Sequence, residues 1–158
     1  MKRRKQRSKH MQIMHLWNWS DAVKAVPYLR SVVASLREHW LEVLETKRRL
    51  HLATMKKSAT KRQQILEREA QEGHLHRAQT QFNDALEELS RIDIFLLEPV
   101  RGSALVPFRK GDDLAWYVFD LFAKSGLAGW RYHNDPMEEC RPLSLLEDAT
   151  VSDSPLAS

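Results

Sequence analysis

The chain has 158 residues, of which 42% are hydrophobic and 29% charged, with five glycines and a single cysteine, Cys140. This length suits one domain with a modest core, and the high charge suits long solvated helix faces better than a thick globule. The formal net charge is +4, yet Lys2, Arg3, Arg4, Lys5, Arg7 and Lys9 place six positive charges before any acid; with them set aside the remainder carries −2. Basicity is therefore expected to belong to the tail and not to the folded surface.

One cysteine excludes an internal disulfide and a Cys-x-x-Cys zinc site, and a reducing, cytoplasmic compartment follows as the expectation. The apolar stretch Met11–Trp19 is too short and polar for a signal-peptide core, and no run reaches about 18 apolar residues, so no membrane association is expected. Residues 1–12 read as a basic disordered tail, 13–143 as a single domain and 144–158 as a loose C-terminal tail rich in Ser, Asp and Ala.

In chain order, Ile13–Trp17 is a short aromatic segment suited to a strand. Asn18 or Ser20 can cap a helix start, and Asp21 complements the dipole of its first turn. Pro27 predicts a short helix over Ala22–Val26 and a second beginning with Pro27, with a kinked continuous helix as the alternative. Val26, Leu29, Val33, Leu36, Trp40, Val43 and Leu50 then recur at spacings of three and four, with Lys47 as one polar rung. Leu75, Ala78, Phe82, Ala85, Leu89 and Ile92 repeat that alternation, which predicts a long antiparallel, coiled-coil-like hairpin over residues 20–92. Its bend falls around Met55–Thr60, although the lack of Gly and Pro there leaves one helix of roughly 60 residues as the alternative.

Past Glu98-Pro99 the composition changes. Arg101-Gly102 is a turn signal, and Ala104–Phe108 is a strand with Pro107 suited to an edge. Lys110–Asp113 turns into an aromatic strand over Leu114–Phe122, and Ser125-Gly126 leads to Gly129–His133. The prediction is an α+β fold: the helical hairpin plus a small antiparallel meander over 103–133, of three strands or of four with Ile13–Trp17.

The ordered set Trp17-Asn18, Ala22, Val26-Pro27-x-Leu29, Arg101-Gly102, Pro107, Trp116–Phe119, Tyr132-His133 and Arg141-Pro142-Leu143 resembles a prokaryotic family known as domain of unknown function 2203. The chain departs from its pattern at Leu105, where an acidic residue is usual, at Tyr132 in place of Trp, and over Pro136–Cys140, which replaces a Gly-x-x-Gly stretch. The resemblance implies a fold of this order and a bacterial cytoplasmic setting. It implies no activity, because the family has none assigned.

His133, Asp135, Glu138, Glu139 and Cys140 form the densest group of metal-ligating side chains, but Pro136 interrupts them and no pair has helical ligand spacing; no metal or cofactor is expected. Arg101 and Arg141, with Trp130, His133 and Asp135, are the candidate ligand-binding residues, since two guanidinium groups and an indole suit a planar anion. The competing expectation pairs these arginines with Asp120 or Asp135. His39 is placed opposite residue 75, within reach of His74 or His76. Phosphate-cradling loops, nucleophile elbows and His-Glu-x-x-His are all missing, which weighs against an ordinary enzyme. Leu41, Leu44, Leu52 and Leu66 lie off the seam and are the candidate interaction surface. The leading expectation is a non-enzymatic interaction or scaffold module, paired with a second copy or another protein. The alternative is a small-ligand domain, for an anion or a metal, on the C-terminal sheet; nucleic acid is expected only through the tail.

Overall fold

Asn18 starts the first helix as expected: its carboxamide oxygen accepts from Asp21 N at 2.8 Å and its carbonyl from Ala22 N at 3.0 Å. In a computed structural model that describes residues 14–55 and 60–146, α1 spans Trp19–Met55 and α2 spans Lys61–Arg91. The strands follow as β1, Phe95–Glu98; β2, Ser103–Lys110; β3, Asp113–Asp120; and β4, Leu127–Tyr132. Residues 1–13, 56–59 and 147–158 lie outside the described residues; residues 144–146, expected to begin the loose tail, instead form a helical turn that buries Leu146 against the core.

Pro27 does not divide the first helix, which runs unbroken for 37 residues. Its ring deprives the Val23 carbonyl of a helical donor, but Val23 and Pro27 both face solvent, where water replaces the lost bond. Thr60 opens α2 with a capping box, its hydroxyl accepting from Gln63 N while the Gln63 side chain accepts from Thr60 N. The two helices pack antiparallel. Tyr28 donates to Glu88 at 2.6 Å near the base, and the Trp40 and Phe82 rings lie 5.1 Å apart further out.

The seam holds through Leu29, Val33, Leu36 and Val43 and then shifts. Thr46 and Ala53 are buried beyond it, whereas Lys47 is exposed and Leu50 only half-buried. Thr46 follows Val43 at a spacing of three where the alternation expects four, so from there the contact line lies one residue earlier in the chain.

The sheet has the order β1-β2-β3-β4, antiparallel throughout. Its fourth strand is Phe95–Glu98, not Ile13–Trp17: residues 14–17 form no strand, and Trp17 N donates to the Pro107 carbonyl at 2.7 Å. β2 is consequently an inner strand. Pro107 is tolerated because β1 pairs only as far as Leu105, so the side of β2 that lacks an N–H has no neighbouring strand to serve. Beyond β4, Trp130 and Arg141 exchange two backbone hydrogen bonds, 3.0 and 2.7 Å, as an isolated bridge on the outer edge.

Alternation along the strands divides the sheet's two faces. Ala104, Val106, Phe108, Ala115, Tyr117, Phe119, Leu127 and Trp130 point inward and join Ala22, Leu29, Val32, Val33, Leu36 and Leu89 in one core. Phe108 and Tyr117 stack with centroids 3.9 Å apart, and burial pushes the Tyr117 phenol up to about 12. Gly126, with φ of +82°, lets β4 begin directly against the helix: a Cβ there would lie 2.6 Å from Val26 Cγ1. The core takes α1 only between Ala22 and Leu36. Beyond that point the two helices continue as an arm.

Candidate functional site

The outward face of the sheet carries the polar residues. Ser103 sits opposite Asp120, and Trp116 opposite Arg131, all on positions that alternate away from the helices. Residues 135–141 fold back over β4, and Gly129 makes this approach possible: a Cβ there would overlap Cys140 Sγ and lie 2.5 Å from the Arg141 carbonyl. Between this segment and the β1–β2 turn is a cleft of about 380 Å³ lined by Glu98, Arg101, Ser103, Asp120, Arg131 and Cys140, among others.

Arg131 is the unusual member, with only 3% of its surface exposed. Its terminal nitrogens donate to the carbonyls of Met137 and Asp135, while its Nε has no partner. Ser103, 4% exposed, likewise leaves its hydroxyl unpartnered. Burial pushes the Cys140 thiol up, an effect that Asp120 reinforces and that Arg101 and Arg131 oppose. The thiol is thus held in its neutral, weakly nucleophilic form.

The sequence-derived candidates do not form one site. Arg101 lines the cleft and makes no ion pair or hydrogen bond with any described residue. Arg141 is instead committed to Asp135 through two bonds of 2.9 Å, with its guanidinium over the rings of Trp130 and Tyr132. That pair, together with the Tyr132 amide, lowers the Asp135 carboxyl to about 2 and raises the Arg141 guanidinium. Trp130 faces the core and donates its indole N–H to the Pro142 carbonyl at 3.1 Å. His133 lies at a separate shallow hollow with Asp113, Tyr132 and Asp135, and its Nδ1 accepts from the Trp116 indole at 3.2 Å. That contact makes Nε2 the protonated nitrogen of the neutral ring.

Metal-ligand geometry is not assembled from these groups: no cluster of three His, Cys, Asp or Glu suited to a metal occurs among the described residues. His39 lies next to Trp40, whose partner is Phe82, so it is opposite that turn of α2 and not opposite residue 75; His74 contacts Arg77 at 2.8 Å. Arg131 and Ser103 are the polar residues that sequence reasoning missed. Their signal was alternation: an arginine between Trp130 and Tyr132 in an aromatic strand must point away from the core.

The arm divides its apolar residues between inside and outside. Val43, Thr46 and Ala53 on α1 and Ala78 on α2 are buried and Trp40, Leu50, Leu75 and Phe82 half-buried, while Leu41, Leu44, Leu52 and Leu66 are exposed by 36%, 41%, 47% and 57%. Met55 and Ile65 are exposed with them. Charge is also segregated there, contrary to the expectation that basicity belongs to the N-terminal tail. Residues 46–66 contain seven Lys or Arg and no acid, whereas 67–91 contain six acids and three Arg. The mildly acidic total hid two opposite halves.

Among the described residues, no helix is long and apolar enough to cross a membrane. The chain matches no protein-family model, no curated protein and no solved structure.

Proposed function

We propose that this chain is a protein-interaction module whose helical arm pairs with a second copy of itself. The observation that carries this reading is the arm's outer apolar set: Leu41, Leu44, Leu52, Met55, Ile65 and Leu66 stay exposed while Thr46, Ala53 and Ala78 take buried positions beside Val43. A hairpin that had only to hold itself together would bury its largest apolar residues, at about 25 cal/mol per Å² removed from water. Covering Leu44, Leu52 and Leu66 with another surface removes that apolar area from water.

Charge favours a second copy as that surface. The run 46–66 is wholly basic and 67–91 is predominantly acidic, so two arms laid head to tail set each basic tip against the other's acidic helix. A two-fold arrangement of this kind uses the same patch on both partners and closes without open ends. The resemblance to an uncharacterised family adds no activity to this reading.

Light scattering or sedimentation of the full chain tests it. The wild type is expected at twice the chain mass, shifting toward monomer with added salt. Leu44→Lys with Leu52→Lys is expected to be monomeric with unchanged helicity. A wild type that stays monomeric at high concentration, or a double variant that remains dimeric, overturns the reading.

A further inference from the structure

We propose that the cleft on the outer face of the sheet binds a small amino acid, a molecule with one carboxylate and one or more ammonium groups. This site is independent of the arm and of its pairing.

The argument begins with an unsatisfied donor. Arg131 is 3% exposed, its terminal nitrogens meet only backbone carbonyls and the Met137 sulfur, and its Nε has no partner among the described residues. Asp135, whose backbone carbonyl it contacts, is near enough for the two charges to attract, but its carboxylate is hydrogen-bonded to Arg141. A buried guanidinium with an N–H left unpaired is a costly arrangement, and an acceptor held beside it relieves that cost. Arg101 lines the same cleft with its planar fork unengaged by any described residue, a geometry matched to a carboxylate. Ser103 supplies a third donor. Its hydroxyl is enclosed and unpartnered on a residue that lines the cleft.

The remaining charges choose the ligand. Glu98, Asp120 and Glu138 line the same cleft, and they repel a dianion such as phosphate while attracting an ammonium group. Glu139 is partly engaged by Arg141, at 3.6 Å. The volume, about 380 Å³, lies near the small end of ligand pockets and suits a single amino acid better than a nucleotide.

The test is a titration of the isotopically labelled full chain, followed by amide chemical shifts. L-lysine is the probe; propionate, n-butylammonium and inorganic phosphate are the controls. Saturable shifts at Ser103, Ala128 and Arg131 are expected with L-lysine, at an affinity about tenfold or more above any control. Arg101→Gln, a change at an exposed side chain whose retained fold the same spectrum reports, is expected to weaken L-lysine by about tenfold or more. The Leu44→Lys, Leu52→Lys variant is expected to bind as the wild type does, so loss of arm pairing and loss of this site are read separately. The proposal is overturned by the absence of saturable shifts or by undiminished binding in Arg101→Gln. It is equally overturned if phosphate binds more tightly than L-lysine, or if n-butylammonium or propionate binds as well.

Discussion

Asp135 and Arg141 hold the segment after β4 in place through two parallel hydrogen bonds of 2.9 Å, with Asp135 also accepting from the Tyr132 amide at 2.8 Å. This pair ties the chain that crosses the outer face to the end of the last strand. The segment that forms one side of the cleft is thus fastened at this point.

The pair makes stability depend on acid. The carboxyl of Asp135 is lowered to about 2, first by the Arg141 hydrogen bonds, from an unfolded value of about 4. A depressed folded value means that its contribution is complete above about pH 4 and is lost as the pH falls through about 2. Asp135→Asn is therefore expected to be less stable than the wild type at neutral pH, with the gap closing between about pH 4 and pH 2. Urea unfolding across that range checks it; a gap independent of pH would show that the ion pair contributes nothing.

Gly129→Ala tests the close approach of the covering segment. The added methyl overlaps Cys140 Sγ and meets the Arg141 carbonyl, which is backbone and yields little. A loss of about 1–3 kcal/mol is expected, as for other overpacked sites. The Trp130 and Arg141 amides, which form the bridge, are expected to exchange with solvent faster than in the wild type.

Core and arm positions are expected to respond differently to the same truncation. Leu36 is fully buried between the helices and the sheet, so Leu36→Ala should cost about 2–5 kcal/mol in urea unfolding. Leu44, 41% exposed in the single chain, should change monomer stability by no more than about 0.5 kcal/mol on truncation to Ala. Its effect is expected on the solution mass instead. Similar losses of monomer stability at both sites would contradict the burial pattern.

Thr60→Ala removes the capping box that opens α2. Such caps contribute about 1 kcal/mol, and here the loss falls on the tip of the arm, remote from the core. Hydrogen exchange is expected to accelerate over the first turns of α2 while the sheet amides stay protected. Uniform acceleration would mean that the arm and the sheet unfold as one unit.

The contacts of Tyr28 with Glu88 and of Trp40 with Phe82 decide that two long helical runs fold back on each other. Periodicity by itself marked those runs, with a break between about Met55 and Lys61, and an antiparallel sheet from Ser103 onward, because apolar spacing is a local property that survives any packing. The aliphatic residues left off the seam, Leu41, Leu44, Leu52 and Leu66, could be named from spacing alone for the same reason. What tertiary structure decided was the identity of partners. Phe95–Glu98 became the fourth strand because pairing with β2 depends on where the chain returns after α2, and Pro27 stayed within a helix because that side of α1 faces water. Thr46 replaced Lys47 in the seam because burying its short side chain costs far less than burying an ammonium group. Arg141 proved to be bound to Asp135, and Arg131 to be the buried charge, because side chains distant in sequence meet only once the segment after β4 folds across the sheet. Spacing along a chain encodes which face a residue occupies; only the closed fold decides what lies opposite it.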